Sequence, residues 1–201
     1  MKRLRKRFDD VAADYERIVT EEAKYSAYVR VPARIVELLP LNGAASVLDL
    51  ACGTGLSSLA FFDAGFDVTG VDLSPGMIEI ARQRPFRRLI CQSIEEDLDV
   101  PDASFDAAVA LGVLEFIKRP GKLLNQIAGK LKAGGVCGLT VPQKSPSAEA
   151  NIGIHTYTHD EFMSLIDRRS LELLEVESFF GYTKHGEDVQ YSAFFLRRTA
   201  A

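Results

Sequence analysis

The sequence has no tryptophan and only three cysteines among its 201 residues. Cys52, Cys91 and Cys137 are widely spaced and odd in number, which argues against a disulfide framework and against a zinc-binding pattern. Each lies in or beside a predicted strand, so we expect small buried side chains in a reducing, cytoplasmic compartment. No segment approaches the roughly 18 apolar residues of a membrane-spanning helix, and no apolar run follows the start as it would in a secretion signal.

The chain also lacks an excess of basic residues. Its formal net charge is -4. Five basic residues between positions 2 and 7 contribute +5, so the remainder carries -9 by subtraction from -4. A basic N-terminus can touch nucleic acid or anionic lipid, but a solvated helix start is the simpler interpretation. The acidic remainder argues against a nucleic-acid substrate.

The N-terminal part is helical in its periodicity. Residues 3–20 carry apolar side chains at three- and four-residue steps, and they predict an amphipathic helix. A second helix is predicted over 23–39, with Pro32 inside it and Pro40 ending it. Because these helices have no partner strand, residues 1–40 are predicted to form a lid or flank. Residues 41–201 would form the core, within one structural domain overall.

Strands and helices then alternate along the chain. Predicted strands lie at 46–50, 67–71, 89–91, 105–111 and 136–141, and predicted helices lie at 55–64, 75–84 and 122–131. This alternation is typical of right-handed crossovers and a parallel sheet. A polar connection follows, and then Thr158 and Glu161 form a capping box that opens a helix to about Arg168. Two strand-like segments, 171–182 and 188–198, are joined through a turn at 184–186. The sequence therefore predicts a doubly wound α/β fold with a seven-stranded, mostly parallel sheet and an antiparallel C-terminal hairpin.

Two motifs follow the first two predicted strands. Residues 47–56 read VLDLACGTGL, and residues 70–77 read GVDLSPGM. Gly53 and Gly55 let the backbone pass close to a ligand, where a side chain would collide. Asp72 ends the second strand and can accept hydrogen bonds from ribose hydroxyls. Together the motifs predict a nucleoside pocket at the carboxyl edge of the sheet.

These residues resemble the class I S-adenosylmethionine-dependent methyltransferases, and in particular the type-11 branch that includes enzymes of ubiquinone and menaquinone biosynthesis. The resemblance implies a Rossmann-like fold, S-adenosylmethionine as cofactor and S-adenosylhomocysteine as product. Ala51 stands where the family has its first glycine. A dinucleotide site is the rival interpretation, but its fingerprint needs a glycine three residues after Gly55, where this chain has Ser58.

The resemblance also implies a set of cofactor-binding residues. The glycine loop would hold the methionyl part, Asp72 the ribose, and Ile94 the adenine ring. Gln92 or Ser93 stands where the family often has an acid at the adenine. The full set is Tyr15, Asp49, Ala51, Cys52, Gly53, Gly55, Asp72, Leu73, Met77, Gln92, Ser93, Ile94, Leu111 and Gly112. No metal site is predicted.

Candidates for a catalytic base are less well defined. His155 and Tyr157, in the connection after the fifth strand, are the predicted catalytic residues, because a histidine there can titrate near neutral pH. Glu115 is a second candidate, for which a solvent-facing position is the preferred interpretation. No Asn-Pro-Pro-Tyr or Asp-Pro-Pro-Tyr tetrapeptide follows the fourth strand, which disfavours the amino-group methyltransferases of DNA or glutamine.

The leading hypothesis is an in-line methyl transfer to a small-molecule acceptor. Tyr15, Tyr25, Tyr28 and Tyr157 outnumber the basic residues of a polynucleotide groove, and they favour a small, partly apolar acceptor. Two alternatives stay open. A protein or RNA methyltransferase is supported by the basic N-terminus, and a non-catalytic S-adenosylmethionine-binding protein is supported by the absence of an unmistakable base. The sequence leaves the acceptor atom and the oligomeric state undetermined.

Overall fold

Seven strands form one sheet in the computed structural model, which describes residues 2–23, 25–39, 43, 45–166 and 169–200. The strands are β1 (Ser46–Leu50), β2 (Asp67–Asp72), β3 (Arg88–Cys91), β4 (Phe105–Ala110), β5 (Leu131–Pro142), β6 (Leu171–Lys184) and β7 (Glu187–Arg198). Their order is β3-β2-β1-β4-β5-β7-β6. The first five strands are parallel to one another, and β7 is antiparallel to both β5 and β6. The predicted sheet and its C-terminal hairpin are confirmed.

Eight α-helices surround this sheet in the described part of the chain. They are α1 (Lys2–Val11), α2 (Tyr15–Arg17), α3 (Ala27–Leu38), α4 (Leu59–Asp63), α5 (Pro75–Ala81), α6 (Pro120–Lys130), α7 (Pro146–Ile152) and α8 (His159–Ile166). Helices α3 and α4 pack on one face of the sheet, and α6 and α8 pack on the other. Strand β1 is apolar on both faces. Val47 packs in the core under α3 and α4, and Leu48 and Leu50 pack in the core under α6 and α8.

The helix starts that the sequence predicts are present. The Ser74 hydroxyl accepts a hydrogen bond from the backbone N–H of Met77 at 3.1 Å, and Pro75 takes the first position of α5. At α8, Glu161 N–H donates to Thr158 Oγ1 at 3.1 Å, and Thr158 N–H donates to the Glu161 carboxylate at 2.7 Å. The capping box is therefore confirmed, and it fixes where the chain turns back toward the sheet.

Two helical segments differ from the prediction. The helix expected over 3–20 is interrupted by a 3₁₀ turn at Ala12–Asp14 and a π turn at Ile18–Glu22. The polar connection after β5 contains α7, which Ser145 caps by accepting from Ala148 N–H at 3.3 Å. Gly153, with φ +74°, ends that helix. The Ser-Pro start and the glycine stop are a local signal that the sequence interpretation missed. The predicted helix ends at Pro40 and Arg168 lie outside the described residues.

The cysteines are only partly as expected. Cys52 and Cys137 are buried, but Cys91 is exposed. The prediction that Cys91 is buried is wrong because β3 is the edge strand of the sheet, where one side has no neighbouring strand to cover it. Among the described residues, no helix combines the length and apolar character needed to cross a bilayer.

Candidate functional site

The glycine loop between β1 and α4 has an unusual backbone. Ala51, Gly53 and Gly55 have φ angles of +60°, +55° and +94°. A Cβ at Gly55 would lie 2.7 Å from Arg84 Cδ and 2.8 Å from the Phe86 ring, so this glycine is needed for packing as well as for its conformation. At Ala51 the left-handed conformation costs an L-residue about 1–2 kcal/mol. The loop therefore stores strain at the place where the family has glycine.

Asp72 lies at the end of β2 and faces this loop. Its Oδ2 accepts a hydrogen bond from Gly53 N–H at 2.9 Å, and its Oδ1 accepts one from Ser74 N–H at 2.8 Å. Burial raises the pKa of Asp72, and these two backbone hydrogen bonds oppose that shift. Each carboxylate oxygen can accept a further hydrogen bond, because it has a second lone pair. The side chain is thus held firmly and can still bind two hydroxyls.

We call the cavity above these residues the loop cavity. It encloses about 590 Å³, part of it open to solvent. It is lined by Leu4, Phe8, Tyr15, Ala51, Gly53, Asp72, Leu73, Met77, Ser93, Ile94, Leu111, Gly112, Val113, Phe116 and Ile117. Ten of the fourteen residues that the resemblance implied for the cofactor lie in this lining. The cavity sits at the carboxyl ends of β1, β2 and β4, which is the expected ligand position in an open α/β sheet.

The other four implied residues lie behind this lining. Asp49 accepts hydrogen bonds from the hydroxyls of Ser57 and Ser58, both at 2.6 Å, and burial raises its pKa to about 6. The Cys52 thiol packs below Gly70, where an added Cβ would lie 2.8 Å from its sulfur. The half-buried Gln92 side chain donates to the Asp97 carbonyl at 2.7 Å. Gly55, the fourth of these residues, shapes the loop from outside the cavity. Cofactor-binding roles for these four stay predictions.

The N-terminal helices cover the loop cavity, and two of their acidic residues bind the core beside it. Asp9 Oδ1 accepts from the Ser74 hydroxyl at 2.6 Å and from Gly76 N–H at 3.1 Å, so its carboxylate lies at the N-terminus of α5. Glu16 pairs with Arg84 at 2.6 Å, and Arg84 Nε donates to the Thr54 carbonyl at 2.9 Å. These contacts hold Leu4, Phe8 and Tyr15 over the cavity.

A second cavity adjoins the first, and we call it the tyrosine cavity. It encloses about 1100 Å³, also partly open to solvent. It is lined by Arg7, Phe8, Tyr15, Ile18, Val19, Ala23, Tyr25, Tyr28, Gly112, Glu115, Phe116, Tyr182, Thr183, Lys184 and Tyr191. The hydroxyls of Tyr15 and Tyr28 are hydrogen-bonded at 2.7 Å. The Tyr28 hydroxyl oxygen lies 3.3 Å from where a Cβ of Gly112 would be, so glycine allows this close approach.

Glu115 lies in the wall of the tyrosine cavity, in a 3₁₀ turn after β4. Its side chain is 4% exposed, so the interpretation of Glu115 as solvent-facing is wrong. Its Oε1 accepts a hydrogen bond from the Tyr191 hydroxyl at 2.7 Å. Burial raises the pKa of Glu115, while Tyr191 and the charge of Arg7 oppose the shift. The sequence missed this placement because β7, far along the chain, supplies the tyrosine that covers it.

The predicted catalytic pair lies elsewhere. His155 is exposed, and its backbone N–H donates to the Glu115 carbonyl at 3.0 Å. The Tyr157 hydroxyl donates to the Leu114 carbonyl at 3.4 Å, and its ring packs against Phe162. Neither side chain lines the loop cavity or the tyrosine cavity. Their catalytic role stays a prediction that this geometry does not favour. In the described ranges, no cluster of three His, Cys, Asp or Glu side chains is arranged to hold a metal ion.

Comparison with known proteins agrees with this geometry. Residues 48–139 match the model of a family described as "Methyltransferase domain". The chain is 32% identical over 148 residues to a demethylmenaquinone methyltransferase of Tropheryma whipplei (strain Twist), covering 70% of this chain and 61% of the relative. It is 33% identical over 111 residues to a ubiquinone biosynthesis O-methyltransferase of Xanthomonas campestris pv. campestris (strain B100), covering 53% and 46%. The chain thus spans roughly half to three fifths of these curated relatives.

Solved structures share the fold. The Burkholderia thailandensis 1,6-didemethyltoxoflavin-N1-methyltransferase, bound to 1,6-didemethyltoxoflavin and S-adenosylhomocysteine, superimposes with a TM-score of 0.72 at 23% identity. The match covers 98% of this chain and 88% of that one. A methyltransferase from Bacillus halodurans, described as putative, gives a TM-score of 0.70 at 15% identity, covering 84% and 99%.

The fold is that of solved methyltransferase structures, and residues 48–139 match a methyltransferase domain family, so the resemblance inferred from the sequence is confirmed. Residues 48–139 carry a methyltransferase domain. Asp72 and the strained glycine loop of that domain line the loop cavity together with the N-terminal helices, which lie outside the matched range.

Proposed function

We propose that this chain transfers a methyl group from S-adenosylmethionine to a small-molecule acceptor. One observation carries the proposal: the loop cavity and the tyrosine cavity share Phe8, Tyr15, Gly112 and Phe116 in their walls. A cofactor in the first cavity and an acceptor in the second would therefore meet at Gly112, as an in-line displacement requires.

The residues of the loop cavity fit the cofactor in three parts. Asp72 would accept hydrogen bonds from the ribose hydroxyls, because each of its oxygens holds one backbone N–H and keeps a lone pair. Leu73, Met77 and Ile94 offer an apolar lining for adenine. Gly112 offers close backbone approach to the methionyl part. When bound, the cofactor supplies a methyl group activated by a positively charged sulfur.

The chain's own contribution would be orientation and exclusion of water. We propose that residues 1–40 act as the lid of the core at 41–201, since Asp9 and Glu16 fix the N-terminal helices onto α5 and the glycine loop. Holding two reactants in line is worth as much as 7–11 kcal/mol in favourable intramolecular cases. The tyrosine rings would exclude water from the path of the methyl group.

The tyrosine cavity favours a small, partly aromatic acceptor. Five tyrosines line it, and its concave, largely aromatic wall suits a small molecule with a ring. The curated relatives are named for menaquinone and ubiquinone biosynthesis, which supports a planar ring system as the acceptor. We also propose that the protein works in the cytoplasm, as the cysteine usage predicts.

The test is calorimetric binding of S-adenosylmethionine, followed by release of S-adenosylhomocysteine with a panel of phenols, amines and thiols. Asp72→Ala should weaken cofactor binding by on the order of 1–3 kcal/mol, about 5- to 150-fold, because an acceptor of two hydroxyls is lost. Asp72→Asn keeps one acceptor oxygen and should lie in between. Asp67→Ala, at the other end of β2, is the matched control and should leave the affinity unchanged. Equal dissociation constants for wild type and Asp72→Ala would contradict the assignment.

A further inference from the structure

Glu115, in the wall of the tyrosine cavity, carries a buried carboxylate oxygen without a hydrogen-bond partner among the described residues. In the part of the chain that the structure describes, two buried side-chain oxygens have no hydrogen-bond partner, Thr54 Oγ1 and Glu115 Oε2. Leaving a buried acceptor of this kind unsatisfied costs about 1–3 kcal/mol, and more when it is charged. A folded protein can retain an unsatisfied acceptor of this kind where a bound ligand supplies the missing hydrogen-bond donor. Glu115 Oε2 is therefore evidence for a ligand that donates a hydrogen bond.

Tyr191 fixes the orientation of this carboxylate. Its hydroxyl donates to Glu115 Oε1 at 2.7 Å, and its own ring is fully buried. The ring packs edge-on against Tyr25 at a centroid distance of 5.2 Å, so it has little freedom to move. Because one carboxylate oxygen is held in this way, the other is presented in a fixed direction. This arrangement of an orienting donor and an acidic group is that of a positioned general base.

Glu115 is also close to the junction of the two cavities. It lies three residues after Gly112 and one residue before Phe116, and both of these neighbours line the loop cavity as well as the tyrosine cavity. The other charged side chains among the described residues of the tyrosine cavity are Arg7, which is exposed, and Lys184, which is half-buried. A buried acid is therefore placed near the proposed methyl path, with the cations farther toward the solvent.

We propose that the tyrosine cavity binds a neutral aromatic acceptor bearing an N–H or O–H group, and that Glu115 is the catalytic base which accepts this proton through Oε2. The inference rests on the proposed function. The aromatic walls suit a planar ring, and the buried carboxylate selects a protonated donor over an anion of the same shape. An acceptor that arrives with its proton needs a base in the site, which Glu115 supplies.

The step balances in atoms and charge. A bond forms between the acceptor nitrogen or oxygen and the methyl carbon, as the bond from that carbon to sulfur breaks and its electron pair stays on sulfur. The N–H or O–H proton passes to Glu115 Oε2. The products are the methylated acceptor, neutral S-adenosylhomocysteine and a protonated Glu115, which returns its proton to solvent when the lid opens.

The first test measures binding rather than activity. The probes are 4-nitrophenol and its methyl-capped counterpart 4-nitroanisole, each titrated into the protein saturated with S-adenosylhomocysteine. We expect 4-nitrophenol to bind at least tenfold more tightly than 4-nitroanisole. We also expect its visible absorption to show a neutral bound phenol, because the Glu115 carboxylate opposes formation of the phenolate. Glu115→Gln should allow the bound probe to ionise at lower pH, and the exposed Glu172→Gln should match the wild type.

Each outcome of the binding test decides the proposal. Equal binding of the two probes, no binding of either, or an unchanged absorption in Glu115→Gln would refute the acceptor site. The affinity for S-adenosylhomocysteine, measured by calorimetry, distinguishes failure of the acceptor site from failure of the proposed function. We expect Glu115→Gln to leave that affinity within about threefold of the wild type. If the wild type does not bind S-adenosylhomocysteine, it is the proposed function that fails.

The second test addresses proton transfer. With S-adenosylmethionine and the panel of phenols and N–H heterocycles, Glu115→Gln should lower kcat by about 10²–10⁴-fold, with a much smaller change in KM. Tyr191→Phe keeps the ring but frees the carboxylate, and it should lower kcat less while shifting the acid limb of the pH profile. A Glu115→Gln enzyme with wild-type kcat, or a wild type that binds these probes but methylates none of them, would refute the role of base.

Discussion

Replacing Asp49 by asparagine should make the protein increasingly more stable than the wild type as the pH rises. Asp49 is 1% exposed, and burial raises its pKa from 3.8 to about 6, although Ser57 and Ser58 donate to it. A folded-state pKa above the unfolded value means that the carboxylate is costly to ionise in the folded protein. The cost is absent below pH 3.8 and complete above pH 6. Asparagine removes it, and its amide oxygen can still accept from the serines.

The size of the effect follows from the shift. A difference of about 2.2 pKa units corresponds to about 3 kcal/mol of stability lost by the wild type at high pH. Part of this loss has already occurred at pH 4.5, since Asp49 of the unfolded chain is largely ionised there. Between pH 4.5 and 7.5, the free energy of unfolding of Asp49→Asn should therefore rise by about 2 kcal/mol relative to that of the wild type.

The assay is urea unfolding of both proteins at half-unit pH steps over this range, with the difference in unfolding free energy plotted against pH. Any constant offset from the substitution cancels in the slope. Asp106→Asn is a control without slope. Burial works against it, but Lys132 and the Ser46 N–H lower the pKa of Asp106 below 3.8, so its contribution to stability is already complete above about pH 3.8, and the difference between that variant and the wild type should stay flat over this range. A flat difference for Asp49→Asn would refute the reasoning.

Two further predictions concern the loop and the lid. Ala51→Gly should raise the free energy of unfolding by about 1 kcal/mol, because glycine adopts φ +60° without the Cβ clash. Thermal or urea unfolding measures this change. A destabilised variant would show that Ala51 is not strained. Asp9→Ala should increase the dissociation rate of S-adenosylmethionine about 10- to 100-fold in stopped-flow measurements, because two hydrogen bonds that hold the lid onto α5 are lost. The exposed Asp10→Ala is its matched control, and equal rates for the two variants would exclude the lid contact.

Much of the loop cavity could be predicted from the sequence because its parts are local. A strand, a glycine turn and a helix follow one another within residues 46–63, and the carboxyl ends of parallel strands meet at one edge. The position of Asp72 at a strand end and the cap at Ser74 are both consequences of short-range patterns. The alternation of strands and helices, with the family resemblance, predicted the mostly parallel sheet and its antiparallel C-terminal hairpin.

The base candidate depended on contacts that no local pattern contains. Glu115 and Tyr191 are 76 residues apart and meet because β7 inserts antiparallel between β5 and β6. His155 and Tyr157 line neither cavity, although their residue types suit catalysis. Whether Asp49 faces a ligand or two serines is likewise decided by how the helix after the loop packs. Periodicity and turn chemistry act over a few residues, and they determined where the helices and strands of this fold lie. Which side chains share a cavity depends on pairing between distant strands, so only the tertiary structure decided that.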